Sequence, residues 1–322
     1  MSNRKFLFLL ITLPLLFAGC FSANKAPRES SYTIAGYDFI NSGISFMNMG
    51  EYGDAKSAFE RAFEQFSLID DSDGKIDALL YLIRVYSKTG EKDKTEAVLA
   101  RLQSLGLTDG PKLLRAKTEA AFSEGEYQNV ISLCEPELAK IKLQQFSEDN
   151  LDIMSYYINA GNALGLKISG GVLADYKDLI VIATEKHIDG SFGNPLALSF
   201  AYYTLALTYY NMKEYQNSHT YFTTALELDK NYENLPGIAD DLYMKGKTLV
   251  NLKRFTEALD HLERAADAFK ALGKTGDYDH AMVDIMSLRP DKMDVSYLTA
   301  LLVNSKDESL KDKIRKILKP ME

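Results

Sequence analysis

The sequence predicts an all-α fold: a solenoid of about six stacked helix pairs, closed by C-terminal capping helices. Three observations predict it. One pattern of small and large residues recurs. From Leu242 it reads Gly246, Leu249, Phe255, Ala258, Leu262, Ala265; from Tyr202 it reads Ala206, Tyr209, Tyr215, Ser218, Phe222, Ala225; from Phe39 it reads Gly43, Phe46, Tyr52, Ala55, Phe59, Ala62. Helical periodicity runs from about Tyr32 to the C-terminus with almost no strand-like alternation. The prolines are few, and Pro111, Pro195, Pro236 and Pro290 fall near helix ends, whereas Pro136 marks a disturbed helix in the third unit.

The first unit spans about 33–68 and carries the pattern intact. The second, about 73–105, keeps Leu79, Leu82, Tyr86, Gly90 and Leu99 but has Thr95 where Ala is expected. The third, about 111–142, keeps Leu114, Gly125, Tyr127 and Val130, with Cys134 at the position of Phe59, Phe222 and Leu262. A buried, unreactive thiol is therefore expected. The fourth, about 148–187, shows Tyr157, Ala160, Gly161 and Leu164; its turn is longer, and its second helix has no register. The fifth and sixth start near Pro195 and Pro236. Gly43, Gly161 and Gly246 inside helices would each cost about 1 kcal/mol relative to Ala unless close helix contact compensates. The repeating body thus spans 32–272. Residues 273–322 leave the pattern and read as closing helices over 276–287, 291–303 and 306–318, the last strongly charged.

These residues resemble the tetratricopeptide repeat (TPR): an aromatic, then Leu-Gly and Tyr on a first helix, then Ala, Phe and Ala on a second. The usual period is 34 residues, whereas Gly50 to Gly90 is 40, Gly90 to Gly125 is 35 and Ser218 to Ala258 is 40. No Trp occurs; Phe39, Leu79, Tyr157, Tyr202 and Leu242 take its place. The resemblance implies that the first helix of each pair lines a concave groove. Carried over, the groove positions are Tyr37, Ile40, Ile44, Met47 and Asn48; Phe200, Tyr203, Leu207, Tyr210 and Asn211; and Asp240, Tyr243, Lys247, Val250 and Asn251. Some TPR proteins clamp a C-terminal carboxylate with Lys and Asn. Ile40 and Ile44 stand at those positions in the first unit, so that mode is not expected there. An aromatic and aliphatic face edged with Asn suits a peptide, a helix or an apolar ligand.

The N-terminus belongs to targeting. Arg4 and Lys5 precede an apolar run, Phe6 to Phe17, which is too short to span a bilayer. The run ends in Phe17-Ala18-Gly19-Cys20, which resembles the bacterial lipobox with Phe in place of Leu. The resemblance implies a signal peptide over 1–19, a mature chain that begins at Cys20 and carries three acyl chains, and a tether over 20–31. Phe21 in place of Asp implies an outer-membrane lipoprotein facing the periplasm. Removing Arg4 and Lys5 from the 37 basic residues leaves 35 against 45 acidic ones, a formal charge of −10. An acidic chain without a basic block argues against nucleic acid as a partner. With Cys20 lipidated, Cys134 has no disulfide partner.

Catalytic chemistry is not expected. Gly273-Lys274-Thr275 and Gly246-Lys247-Thr248 lack the earlier glycine of a phosphate loop, with Ala268 and Asp241 standing there. Asp71-Ser72-Asp73-Gly74 approaches a calcium loop, but Ile69 and Leu80 occupy ligand positions, so the cluster reads as a helix cap. His187, His219, His261 and His280 lack metal-ligand spacing. No metal and no cofactor beyond the lipid on Cys20 is expected. The sequence reads as a non-enzymatic, membrane-anchored scaffold for a protein or peptide partner in a bacterial envelope complex for assembly, secretion or transport. The alternative is a periplasmic carrier of a small apolar ligand that serves a transporter.

Overall fold

The computed structural model describes residues 30–138, 140–141 and 146–319. The expected signal peptide over 1–19, Cys20 and the expected tether up to residue 29 lie outside the described residues. Among those described, every regular element is helical, and none is long and apolar enough to cross a membrane. The helices run α1 Ser31–Met49, α2 Tyr52–Leu68, α3 Ser72–Thr89, α4 Lys92–Ser104, α5 Pro111–Ser123, α6 Tyr127–Leu138, α7 Glu148–Ala163 and α8 Gly170–Ile188. They continue as α9 Pro195–Asn211, α10 Tyr215–Asn231, α11 Leu235–Asn251, α12 Phe255–Ala271, α13 Thr275–Leu288, α14 Val295–Asn304 and α15 Glu308–Leu318. Consecutive helices pack as antiparallel pairs, α1 with α2 through α11 with α12, and the pairs stack into a TPR-like solenoid.

The repeat pattern does what small residues at close approach must do. A Cβ on Gly43 would lie 2.5 Å from the Phe59 ring, and one on Gly246 would lie 2.7 Å from Leu262. A larger residue at either glycine would force Phe59 or Leu262 to move where first helix meets second. Phe59, Cys134, Phe222 and Leu262 share one register position and are all 0% exposed. Burial pushes the Cys134 thiol up to about 11, which leaves it protonated and inert at neutral pH.

Helix ends follow local chemistry. Asp71 accepts a hydrogen bond from the Gly74 amide at 3.0 Å and caps α3, the role expected for that acidic cluster. Pro111, Pro195 and Pro236 sit in the first turns of α5, α9 and α11. Pro136 lies inside α6, which stops two residues later, at Leu138. The turn within the first pair uses Gly50 at φ 78°, but the fifth and sixth pairs place Lys213 (φ 63°) and Lys253 (φ 61°) in the same left-handed conformation.

The fourth pair owes its missing register to a tyrosine. Tyr176 on α8 is 0% exposed, and its hydroxyl bonds Ser155 Oγ at 2.7 Å and donates to the Ala201 carbonyl at 3.1 Å. A long polar-tipped side chain replaces the usual Phe and reaches across to α7 and α9. Ile168, in the long turn, fills the space over Gly161.

The cap departs slightly from expectation. Residues 290–292 form a 3-10 turn, and α14 starts at Val295 because Asp294 accepts from the Tyr297 amide at 2.9 Å. The charged α15 buries Leu310 and Ile314 against Val283, Met286 and Leu298.

The stack also closes on itself. Asn48, near the end of α1, donates to the Tyr232 carbonyl at 3.2 Å, across 184 positions of sequence. Gly50 abuts Leu272 and Pro236, and α1 lies against α11. The concave side is therefore ringed by helices from α1 round to α11 rather than open between its two ends.

Candidate functional site

The first helices α1, α3, α5, α7 and α9 stand side by side around this interior. The expected groove residues divide into two stations. Tyr37, Ile40 and Ile44 on α1 line a cavity of about 530 Å³ with residues of α3, α5, α7 and the start of α9. Tyr37 is 41% exposed, whereas Ile40 is only 4% exposed and packs into the core of the first two pairs, showing the cavity one edge. Tyr203, Leu207, Tyr210 and Asn211 on α9 and Tyr243 and Asn251 on α11 form the second station and do not border the cavity.

The cavity floor is ionic. Arg84 on α3 donates from Nε to Glu119 at 3.3 Å and from Nη2 to Asp152 at 3.0 Å. Arg115 on α5 donates from Nε to Asp149 at 2.6 Å. The ladder thus steps from α3 to α5 to α7, joining equivalent faces of consecutive first helices. Burial opposes charge on Arg84, but Glu119 and Asp152 outweigh it and hold the guanidinium protonated. Burial pushes Asp152 up to about 6, although Arg84 and Arg115 pull it down. Burial, then Glu119 and Asp152, raise the Tyr156 hydroxyl well above its usual range. Truncating one partner of such a buried pair costs about 3–5 kcal/mol, because the other charge is left alone.

The second station is aromatic. Tyr203, Leu207, Tyr210 and Tyr243 pack on Ala206, Phe222 and Met244 and keep one side open. Asn211 is exposed at the end of α9, and Asn251 donates to the Tyr210 hydroxyl at 3.2 Å. The Lys247 ammonium lies 5.2 Å from the Tyr243 ring centre and 5.9 Å from that of Tyr210. The acid it feels, Asp284, already accepts from the Tyr243 hydroxyl at 2.9 Å and pairs with Lys313. Burial lowers the Lys247 ammonium below the usual lysine range.

Sequence reasoning missed Arg84, Arg115, Glu119, Asp149 and Asp152. The available signal was a run of charges on helix faces that are otherwise apolar, at spacings of 35, 34 and 33 residues between Arg84 and Glu119, Arg115 and Asp149, and Glu119 and Asp152. Those spacings lie within one residue of the usual 34-residue period, which places these charges at matching levels of neighbouring first helices. Among the described residues no cluster of three or more His, Cys, Asp or Glu could hold a metal ion.

The tetratricopeptide repeat family model matches residues 198–271, the two pairs α9–α10 and α11–α12. This match supports a TPR protein, and such all-helical repeats typically serve as non-enzymatic platforms for protein–protein interaction. No curated protein matches the chain.

Proposed function

We propose that this chain is a lipid-anchored TPR scaffold that holds a partner protein on the periplasmic side of a bacterial outer membrane, within an assembly, secretion or transport complex. The observation that carries the reading is the second station. Tyr203, Leu207, Tyr210 and Tyr243 offer half-open apolar area, and beside them the Lys247 ammonium has ring faces but no hydrogen-bond acceptor among the described residues. A partner segment with apolar side chains and one carbonyl or carboxylate would complete both. The anchor rests on Phe17-Ala18-Gly19-Cys20 after a short apolar run. The acidic composition favours a protein partner over nucleic acid.

Two measurements test it. Affinity isolation from cross-linked membranes should enrich a defined protein with wild-type chain and lose it with Tyr210→Ala plus Lys247→Ala. No enrichment over an unrelated lipoprotein would remove the scaffold reading. Separately, Cys20→Ser should abolish fatty-acid labelling, and persistent labelling would refute the anchor. The ionic floor of the cavity gives no support to an apolar ligand there.

A further inference from the structure

We infer that the cavity between α1, α3, α5 and α7 is a binding site for a small zwitterion, a free amino acid or a short peptide, that presents a carboxylate to Arg115 and an ammonium to the acidic wall. The inference is independent of the partner-protein reading, because the cavity and the aromatic station share no residue.

Three features carry it. Arg115 lines the cavity and is 8% exposed, and among the described residues only its Nε has a hydrogen-bond acceptor, on Asp149. The Glu119 carboxylate stands 3.6 Å from its Nη1 and already accepts from Arg84. A guanidinium edge left without acceptors beside a cavity favours a ligand carboxylate placed against it.

Charge excludes a simple anion. The carboxylates of Asp77, Glu148, Asp149 and Asp152 that line the cavity outnumber the cations Arg84, Lys112 and Arg115, and Glu119 adds a further carboxylate against Arg84. A lone anion would meet an acidic surround, and a lone cation would offer no acceptor to the remaining N–H groups of Arg115. Glu148 uses Oε1 to accept from the Gly193 amide at 3.0 Å, and Asp77 accepts from Lys112 at 3.3 Å and from the Tyr37 hydroxyl at 3.5 Å, both long contacts. Both carboxylates keep capacity for an ammonium. A ligand that carries both charges answers both demands.

Size and walls agree. A volume of about 530 Å³ is in the range of small-ligand sites, about 300–1,000 Å³. Tyr37, Tyr81 and Ile44 supply an apolar wall for the ligand's side chain.

The experiment is calorimetric titration and thermal melting of detergent-solubilised full-length protein with each standard amino acid and with leucyl-leucine, at millimolar concentration. Leucyl-leucine blocked at its amine, at its carboxylate or at both ends provides the controls. At least one zwitterion should bind and raise Tm, and each blocked form should bind about ten-fold or more weakly. Free amino acids binding best would identify a metabolite-type ligand, and the dipeptide binding best would identify a peptide terminus; both support the site. Arg115→Gln should abolish binding. Because that change could unfold the protein, Tyr37→Ala, at an exposed rim position, should weaken binding several-fold with the helical circular dichroism unchanged. Binding by no zwitterion, or equal binding of the doubly blocked dipeptide, would overturn the inference.

Discussion

The central pairs and the C-terminal pairs of this solenoid use the same packing rule to opposite ends. In α9–α12 the first helices present tyrosines and one lysine to the interior, and the pair cores follow the repeat closely enough for the family model to match residues 198–271. In α3–α7 the first helices bury Arg115, Glu119 and Asp152 around a half-buried Arg84. There the repeat is preserved in space and eroded in sequence. The difference shows that small and large residues at fixed offsets build the stack, whereas the inward face is free to carry either aromatic or ionic chemistry.

The largest expected effect breaks the ionic half. Arg84→Ala should cost about 3–5 kcal/mol, since Glu119 and Asp152 would remain buried without their partner. Lys247→Ala, at the equivalent level of the aromatic half, should cost about 1 kcal/mol or less, because only ring contacts are lost. Chemical denaturation of the two variants gives the comparison, and similar losses would mean that the two halves are not energetically distinct. Next in size is Ala258→Trp, which overpacks the α11–α12 contact, where Ala258 is 0% exposed. A loss of about 1–3 kcal/mol is expected, and an unchanged Tm would contradict the register.

A third test concerns acids buried in the C-terminal half. Asp229 and Asp241 lie together, 4% and 1% exposed, and neither oxygen of Asp241 has a hydrogen-bond donor among the described residues. Burial raises Asp229 to about 6; burial, then Asp229 and Asp240, raise Asp241 well above the usual carboxylate range. An acid raised in the folded state binds its proton more tightly there than when unfolded. Its contribution is complete below the ordinary carboxylate value of about 4 and is lost as pH rises through the folded value. Asp241→Asn should therefore melt progressively higher relative to wild type as pH goes from about 5 to about 8. A constant difference would show that the pair does not titrate in this window. The smallest effect is at the turns. Lys213→Gly relieves a left-handed residue at φ 63°, and should stabilise by about 1 kcal/mol or less after the glycine's extra unfolded-state entropy. Gly50→Ala, at the corresponding turn of the first pair, should destabilise, and the two opposite signs are read from one set of melting curves.

Much of this fold was legible in the sequence, for reasons that differ by region. Gly43, Gly246, Ala55 and Ala258 announce helix contacts because no larger residue fits, and their spacing fixes both helices of a pair. The second helix of the fourth pair was illegible because Tyr176 substitutes hydrogen bonds to Ser155 and Ala201 for apolar packing. The site was legible only in part. Tyr203, Tyr210 and Tyr243 follow from repeat offsets, whereas the ladder through Arg84 and Asp152 depends on pairings 68 positions apart, which no single repeat encodes. The closure of α1 on α11 was equally hidden, since it arises from the accumulated turn of every pair between them.

That closure changes the mechanics of the molecule. An open stack of helix pairs behaves as a coil spring, in which each interface yields a little and the ends move freely. The bond from Asn48 to the Tyr232 carbonyl joins the first coil to a later one, so a pull at Ser30 loads α11 as well as α2. Tension arriving at Ser30 would be borne by a hoop, and the interior would keep its diameter until the contacts of α1 with α11 part.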